Sequence, residues 1–168
     1  MAKINLVKSQ GFTIVEVMIV LAIAALIILS IFWALPAFQR GSRNSQRDAD
    51  AQRVVSAVTD CLSNNGGIIA NCLSPSGCSL PVSSATNPPC GPFFTGNKYL
   101  DMSRLQQITS VVFYNTTTAV IPAGVNTIAV YGGNTCNGNS PASGNTNQFV
   151  VLYNREGGGS PAPICTTP

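Results

Sequence analysis

The sequence predicts an α+β fold: a long N-terminal α-helix, membrane-spanning in its first half, packed on a small antiparallel β-sheet. Three observations carry that expectation. An apolar run from Val17 to Leu35, broken only by Ser30, passes into a segment with three- and four-residue apolar spacing. Three later stretches are rich in Val, Ile, Phe and Tyr and are separated by Gly, Pro, Asn and Ser. All six cysteines lie beyond the apolar run, which suits a head domain stapled by disulfides in an oxidising compartment.

The first element is a leader, residues 1–11. It carries Lys3 and Lys8 and no acid. Ile4, Leu6 and Val7 are too few for the apolar centre of a secretory signal, and no small-residue cleavage site follows the long apolar run. A cut at Gly11 would precede the span and leave it on the mature chain. Residues 12–38 form the membrane-spanning helix. As a helix, residues 12–35 measure about 36 Å, enough to cross a hydrocarbon core of about 30 Å. Ala22, Ala24 and Ala25 give this helix a thin side that another helix can approach. Glu16 stands alone at its head. A carboxylate costs about 2.5–3.5 kcal/mol at mid-membrane and less near the interface, so Glu16 needs a partner. Orientation draws on two opposed signals. Lys3 and Lys8 precede the span while Arg40, Arg43, Arg47 and Arg53 follow it, which by basic-residue count places the C-terminal side in the cytoplasm. The cysteines place that side outside.

Pro36 and Gly41 interrupt the helix and mark a kink. Residues 39–65 are its amphipathic continuation. Ala51, Val54, Val55, Val58, Cys61 and Leu62 share one stripe, while Arg47, Asp48, Asp50, Arg53 and Asp60 fall mostly elsewhere. Asn64-Asn65-Gly66-Gly67 ends it. Residues 66–168 form the head. It opens with a Pro-rich loop, residues 66–98, holding Cys72, Cys78 and Cys90; cross-linking accounts for order in so long a loop. Asp101 caps a short helix over residues 102–108. Strands follow at residues 110–114, 127–131 and 148–153, paired antiparallel.

Several function classes find no support. The net charge is +3, without the clustered basic face that nucleic acid requires. There is no His, no metal-spaced cluster, no G-x-S-x-G and no phosphate loop. No catalytic residue, cofactor or metal is therefore expected. Asp48 and Asp50 read as solvated helix-surface acids, and Gly157-Gly-Gly159 as a flexible turn.

Lys8-Ser-Gln-Gly11, then Phe12-Thr-Ile-Val-Glu16, then the apolar helix, resembles the prepilin signal of type IV pilins and pseudopilins. The likeness is close over residues 1 to 65 and beyond that rests on pilin-like architecture. Pro36 falls slightly later than the corresponding proline of many pilins. The resemblance implies that a prepilin peptidase cuts between Gly11 and Phe12 and methylates the Phe12 amine. Glu16 then serves filament assembly, paired with the Phe12 ammonium of a neighbouring subunit. It also implies a single-pass precursor in the cytoplasmic membrane with its head outside, an inner-membrane assembly machinery, and a homo-oligomeric helical filament. Such filaments serve adhesion, motility and DNA uptake. Rival readings are a type II secretion pseudopilin or minor pilin, and a membrane-anchored extracellular binding module that never polymerises. Pro36 and Gly41 become either the place where the helix melts in a filament or a static kink. Arg40, Arg43 and Arg47 face headgroups, neighbouring subunits or solvent. Sequence alone leaves the cysteine connectivity open. Cys136–Cys165 is the leading pair, since family members often close that region similarly, with Cys61–Cys72 and Cys78–Cys90 next by proximity.

Overall fold

The computed structural model describes residues 11–81, 90, 94, 98–157 and 160–168. Apart from Gly11 the expected leader lies outside the described residues, as do Pro88, Pro89 and Pro92 of the cysteine-rich loop. The chain divides between Gln39 and Arg40 into two units. One helix, α1 (Ile14–Asn64), belongs to both, and it continues through Pro36 and Gly41.

In the first unit every described residue is exposed. The second unit is built on the remaining part of α1. Its buried positions are Arg47, Asp50, Ala51, Val54, Val55, Ala57, Val58 and Cys61, a single stripe at three- and four-residue steps. This stripe packs on a five-stranded sheet. Its strands are β1 (Cys78–Leu80), β2 (Ser110–Tyr114), β3 (Thr127–Gly132), β6 (Phe149–Arg155) and β7 (Ala162–Thr166), in the order β1-β2-β3-β6-β7. A separate hairpin, β4 (Asn134–Asn137) and β5 (Ser140–Ser143), is inserted between β3 and β6. A short helix, α2 (Ile69–Cys72), follows α1. A Cβ on Gly132 would stand 3.1 Å from Ile69 and 3.2 Å from Leu73, so glycine lets this segment lie close on the end of β3.

Because strand side chains alternate, the sheet separates two apolar layers. Ile128, Val130, Phe149, Val151 and Tyr153 join the α1 stripe in one cluster. Ala129, Tyr131, Val150 and Leu152 form another on the opposite face, covered by Ala119 and Ile121. Ile128 is fully buried beneath the helix. Ile128→Val, which removes one methylene there, should lower stability by about 0.5–1.5 kcal/mol. Denaturant unfolding followed by circular dichroism measures it, and no loss would mean that α1 does not close over β3.

The sheet is mixed, which corrects the expectation of an antiparallel one. β2 and β3 run parallel, with Ser110 opposite Thr127 and Tyr114 opposite Tyr131, whereas the remaining pairs are antiparallel. Parallel neighbours need a crossover of about a dozen residues or more, and residues 115–126 supply it. Side-chain amides pin this crossover down. Asn134, buried, donates to the Thr116 carbonyl at 3.0 Å. Asn154, also buried, donates to the carbonyls of Pro122 and Gly124. Such anchors leave no local period in the sequence.

Other differences are smaller. The expected helix over residues 102–108 is a 3₁₀ turn, Met102–Arg104. Asp101 caps it by accepting from the Ser103 N–H at 3.0 Å, and the next backbone N–H groups bond to Asp50 instead of continuing the helix. Strands β1, β4 and β5 escape a sequence reading because they are only three or four residues long, and β5 and β7 contain Pro141 and Pro163. Disulfides join Cys61 to Cys72, Cys78 to Cys90 and Cys136 to Cys165. The first ties the end of α1 to α2, and the last ties β4 to β7.

Candidate assembly site on the N-terminal helix

The helix begins with a reciprocal cap. The Thr13 backbone N–H donates to Glu16 Oε2 at 2.8 Å, and the Thr13 hydroxyl donates to the same oxygen at 2.9 Å. In return the Glu16 N–H donates to Thr13 Oγ1 at 3.3 Å. This is a capping box, in which two otherwise orphaned backbone donors are satisfied and the carboxylate sits at the positive end of the helix dipole. Thr13 is the residue that sequence reasoning missed, although Thr-x-x-Glu is a readable capping signal. The partners also refine the expectation for Glu16, because part of its requirement is met inside its own chain. Both side-chain bonds fall on Oε2, so Oε1 remains available to an outside donor. Beside it lies an open apolar hollow of about 420 Å³ lined by Phe12, Val17, Val20 and Leu21.

The remainder of this unit is apolar surface. Phe12 is 87% exposed and Trp33 84%, and the residues between them include Ile14, Met18, Ile23, Leu26, Leu29 and Phe32, all exposed. Helix α1 is long and apolar enough to cross a membrane. Pro36 removes a backbone N–H from α1, and a side chain at Gly41 would meet open space.

In the second unit the same helix is tied down by charge. Glu156 receives Arg43 Nη2 at 2.6 Å and Arg47 Nη2 at 2.7 Å. Asn44 bonds both the N–H and the C=O of Glu156, and Arg47, only 2% exposed, donates to the Val125 carbonyl at 2.9 Å. Asp48 holds Arg155 through two bonds of 2.8 and 2.7 Å and accepts the Tyr153 hydroxyl at 2.9 Å. Burial, and then that bond to Asp48, push the Tyr153 phenol up to about 12. Asp50 is fully buried and accepts from the N–H groups of Gln106, Gln107 and Ile108 and from Arg53. Asp50 is therefore not a solvated acid, and Asp48, though half-buried, is paired instead of free, which corrects the sequence reading. Arg43 and Arg47 are engaged within the chain, whereas Arg40 is exposed. Among the described residues no three His, Cys, Asp or Glu come together to hold a metal ion.

The Arg43 guanidinium, with Arg47 behind it, lowers the Glu156 carboxyl from 4.5 to about 2. A depressed carboxylate adds stability above its unfolded value and loses it as the pH falls through the folded one. Stability should therefore drop between about pH 4.5 and pH 2, and Glu156→Gln should flatten the curve in that window. Thermal melts across the window test this, and an unchanged slope would contradict it.

Residues 6–32 match a family model described as the prokaryotic N-terminal methylation motif. Neither a curated protein nor a solved structure matches the chain. The matched stretch contains Gly11, Phe12, the Thr13–Glu16 box and most of the exposed apolar helix. It suggests membrane anchoring and processing by prepilin peptidase, and it supports a type IV pilin or pseudopilin. By that match, the chain carries a type IV prepilin signal.

Proposed function

We propose that this chain is a structural, non-enzymatic subunit of a type IV pilus. The observation that carries the reading is the contrast along one helix. Residues 11–42 are exposed throughout, whereas the rest of α1 buries a stripe and pairs most of its charges. An apolar surface of that length is unstable in water. The membrane stores it first, with the head outside. Prepilin peptidase cuts between Gly11 and Phe12 and methylates the new amine, and the inner-membrane machinery then moves the helix into a bundle of its own copies. In that bundle the Phe12 ammonium of a neighbour reaches Glu16, whose Oε1 is unclaimed. Pro36 and Gly41 make the helix weakest where a bundle has to bend or open it. The heads form the outer surface that adheres, moves or takes up DNA.

Negative-stain microscopy of filaments sheared from producing cells, with identification of their main protein, tests this. Filaments composed chiefly of this chain are expected. A processed chain that is absent from them, or present only as a trace, would move the reading to a pseudopilin or minor pilin. An unprocessed chain would leave a membrane-anchored binding module.

A further inference from the structure

The charges on the second part of α1 divide unequally. Arg43 and Arg47 are committed to Glu156, Arg53 to Asp50 and Asp48 to Arg155. Among the described residues, Arg40 and Asp60 are exposed and have no side-chain hydrogen bond or ion pair within the chain. The helix between them is unbroken. At about 1.5 Å and 100° per residue, they stand about 30 Å apart along its axis and on nearly opposite sides of it.

That placement is what a repeating, head-to-tail contact needs. If both charges were on one side, two copies could pair them twice in a closed antiparallel dimer. On opposite sides, a copy gives Arg40 to one neighbour and offers Asp60 to another, and the contact propagates instead of closing. We propose that Arg40 of one copy pairs with Asp60 of a second, parallel copy displaced about 30 Å along the helix axis. The proposal rests on the filament reading above.

The surroundings of Asp60 fit an incoming guanidinium. Asp60 borders a groove of about 530 Å³ that also holds Arg53, Lys98, Tyr99 and Arg104. Two of those cations are paired with acids, and the third rests on a neutral ring. Arg53 is 2.8 Å from Asp50, Arg104 is 3.6 Å from Asp101, and Lys98 lies over the Tyr99 ring at 5.2 Å. Asp60 is the groove's uncommitted anion. The offset also carries a timing. Parallel copies at one depth in the membrane set Arg40 level with Arg40, so the pair cannot form there. It forms when one copy has been lifted by about the thickness of the hydrocarbon core, about 30 Å. The pair is thus specific to the extracted, assembled state.

Charge reversal in the full chain, made in producing cells, tests the pairing. Arg40→Glu and Asp60→Arg should each lower the yield of sheared filaments several-fold, with N-terminal processing and membrane level unchanged. The double variant should restore the yield. As a contact readout, a chain carrying Arg40→Cys and Asp60→Cys, treated in filaments with a short bis-maleimide, should give a ladder of cross-linked copies on a denaturing gel. Neither single variant should give a ladder. Filaments indifferent to the single reversals, or a double reversal no better than the singles, would overturn the pairing while leaving the filament reading intact. Absence of filaments from the unaltered chain would overturn both.

Discussion

Replacing Asp50 with alanine is expected to lower the stability of the head by about 3 kcal/mol. The carboxylate is fully buried and accepts from Gln106 at 2.9 Å, Gln107 at 2.8 Å and Ile108 at 3.2 Å, and from Arg53 at 2.8 Å. Each backbone donor left unpaired inside costs about 1–3 kcal/mol. Water can reach Gln106, which is exposed, but not Ile108, which is buried. The sum therefore falls well short of three full penalties. Against a domain stability of about 5–15 kcal/mol the loss is large. Asp50→Asn keeps the size and one acceptor, and should lose less. Denaturant unfolding of the detergent-solubilised chain gives both values. A loss below about 1 kcal/mol for the alanine variant would mean that the segment after Arg104 is held by something else.

The other large effect is expected on assembly. Glu16→Ala should insert in the membrane at least as well as the unaltered chain, because it removes a charge from the apolar span. It should nonetheless produce few or no filaments. Losing a cap costs about 0.5–2 kcal/mol of helix stability, too little to melt a helix of this length. The greater loss would come in the bundle, where the Phe12 ammonium of a neighbour would be left without its partner; breaking a buried pair costs about 3–5 kcal/mol. Thr13→Ala separates the two contributions. It removes the hydroxyl donor but keeps the carboxylate and its backbone bond, so most filaments should remain. Normal filament number and length in Glu16→Ala would sink this account of the glutamate.

The sequence makes the fold class legible because its strongest signals are local. An apolar run followed by a one-sided stripe specifies a long helix that changes partner along its length, and three β-rich stretches mark the central strands. The parallel pairing of β2 and β3 is not legible, since it depends on Asn134 and Asn154 gripping a crossover that has no period of its own. The charge pairs are hidden for a similar reason: Arg43 and Glu156 lie 113 residues apart. Asp50 is a different case. It falls in register with Arg47, Ala51 and Val54 on the buried stripe, so its spacing offered a signal that its chemistry masked. Thr13 was equally accessible, three residues before Glu16. These partners also bear on the arginine-rich flank that opposes orientation by basic-residue count. Two of its members, Arg43 and Arg47, share the single carboxylate of Glu156 in the folded head, which leaves the count of basic residues as it was.

A pilus subunit of the proposed kind loses its leader and enters assembly through a new amino terminus at Phe12. Mass spectrometry of the mature protein from producing cells tests it most directly. The expected result is a chain beginning at Phe12 with a methylated amine. A mature chain that still begins at Met1 would contradict it.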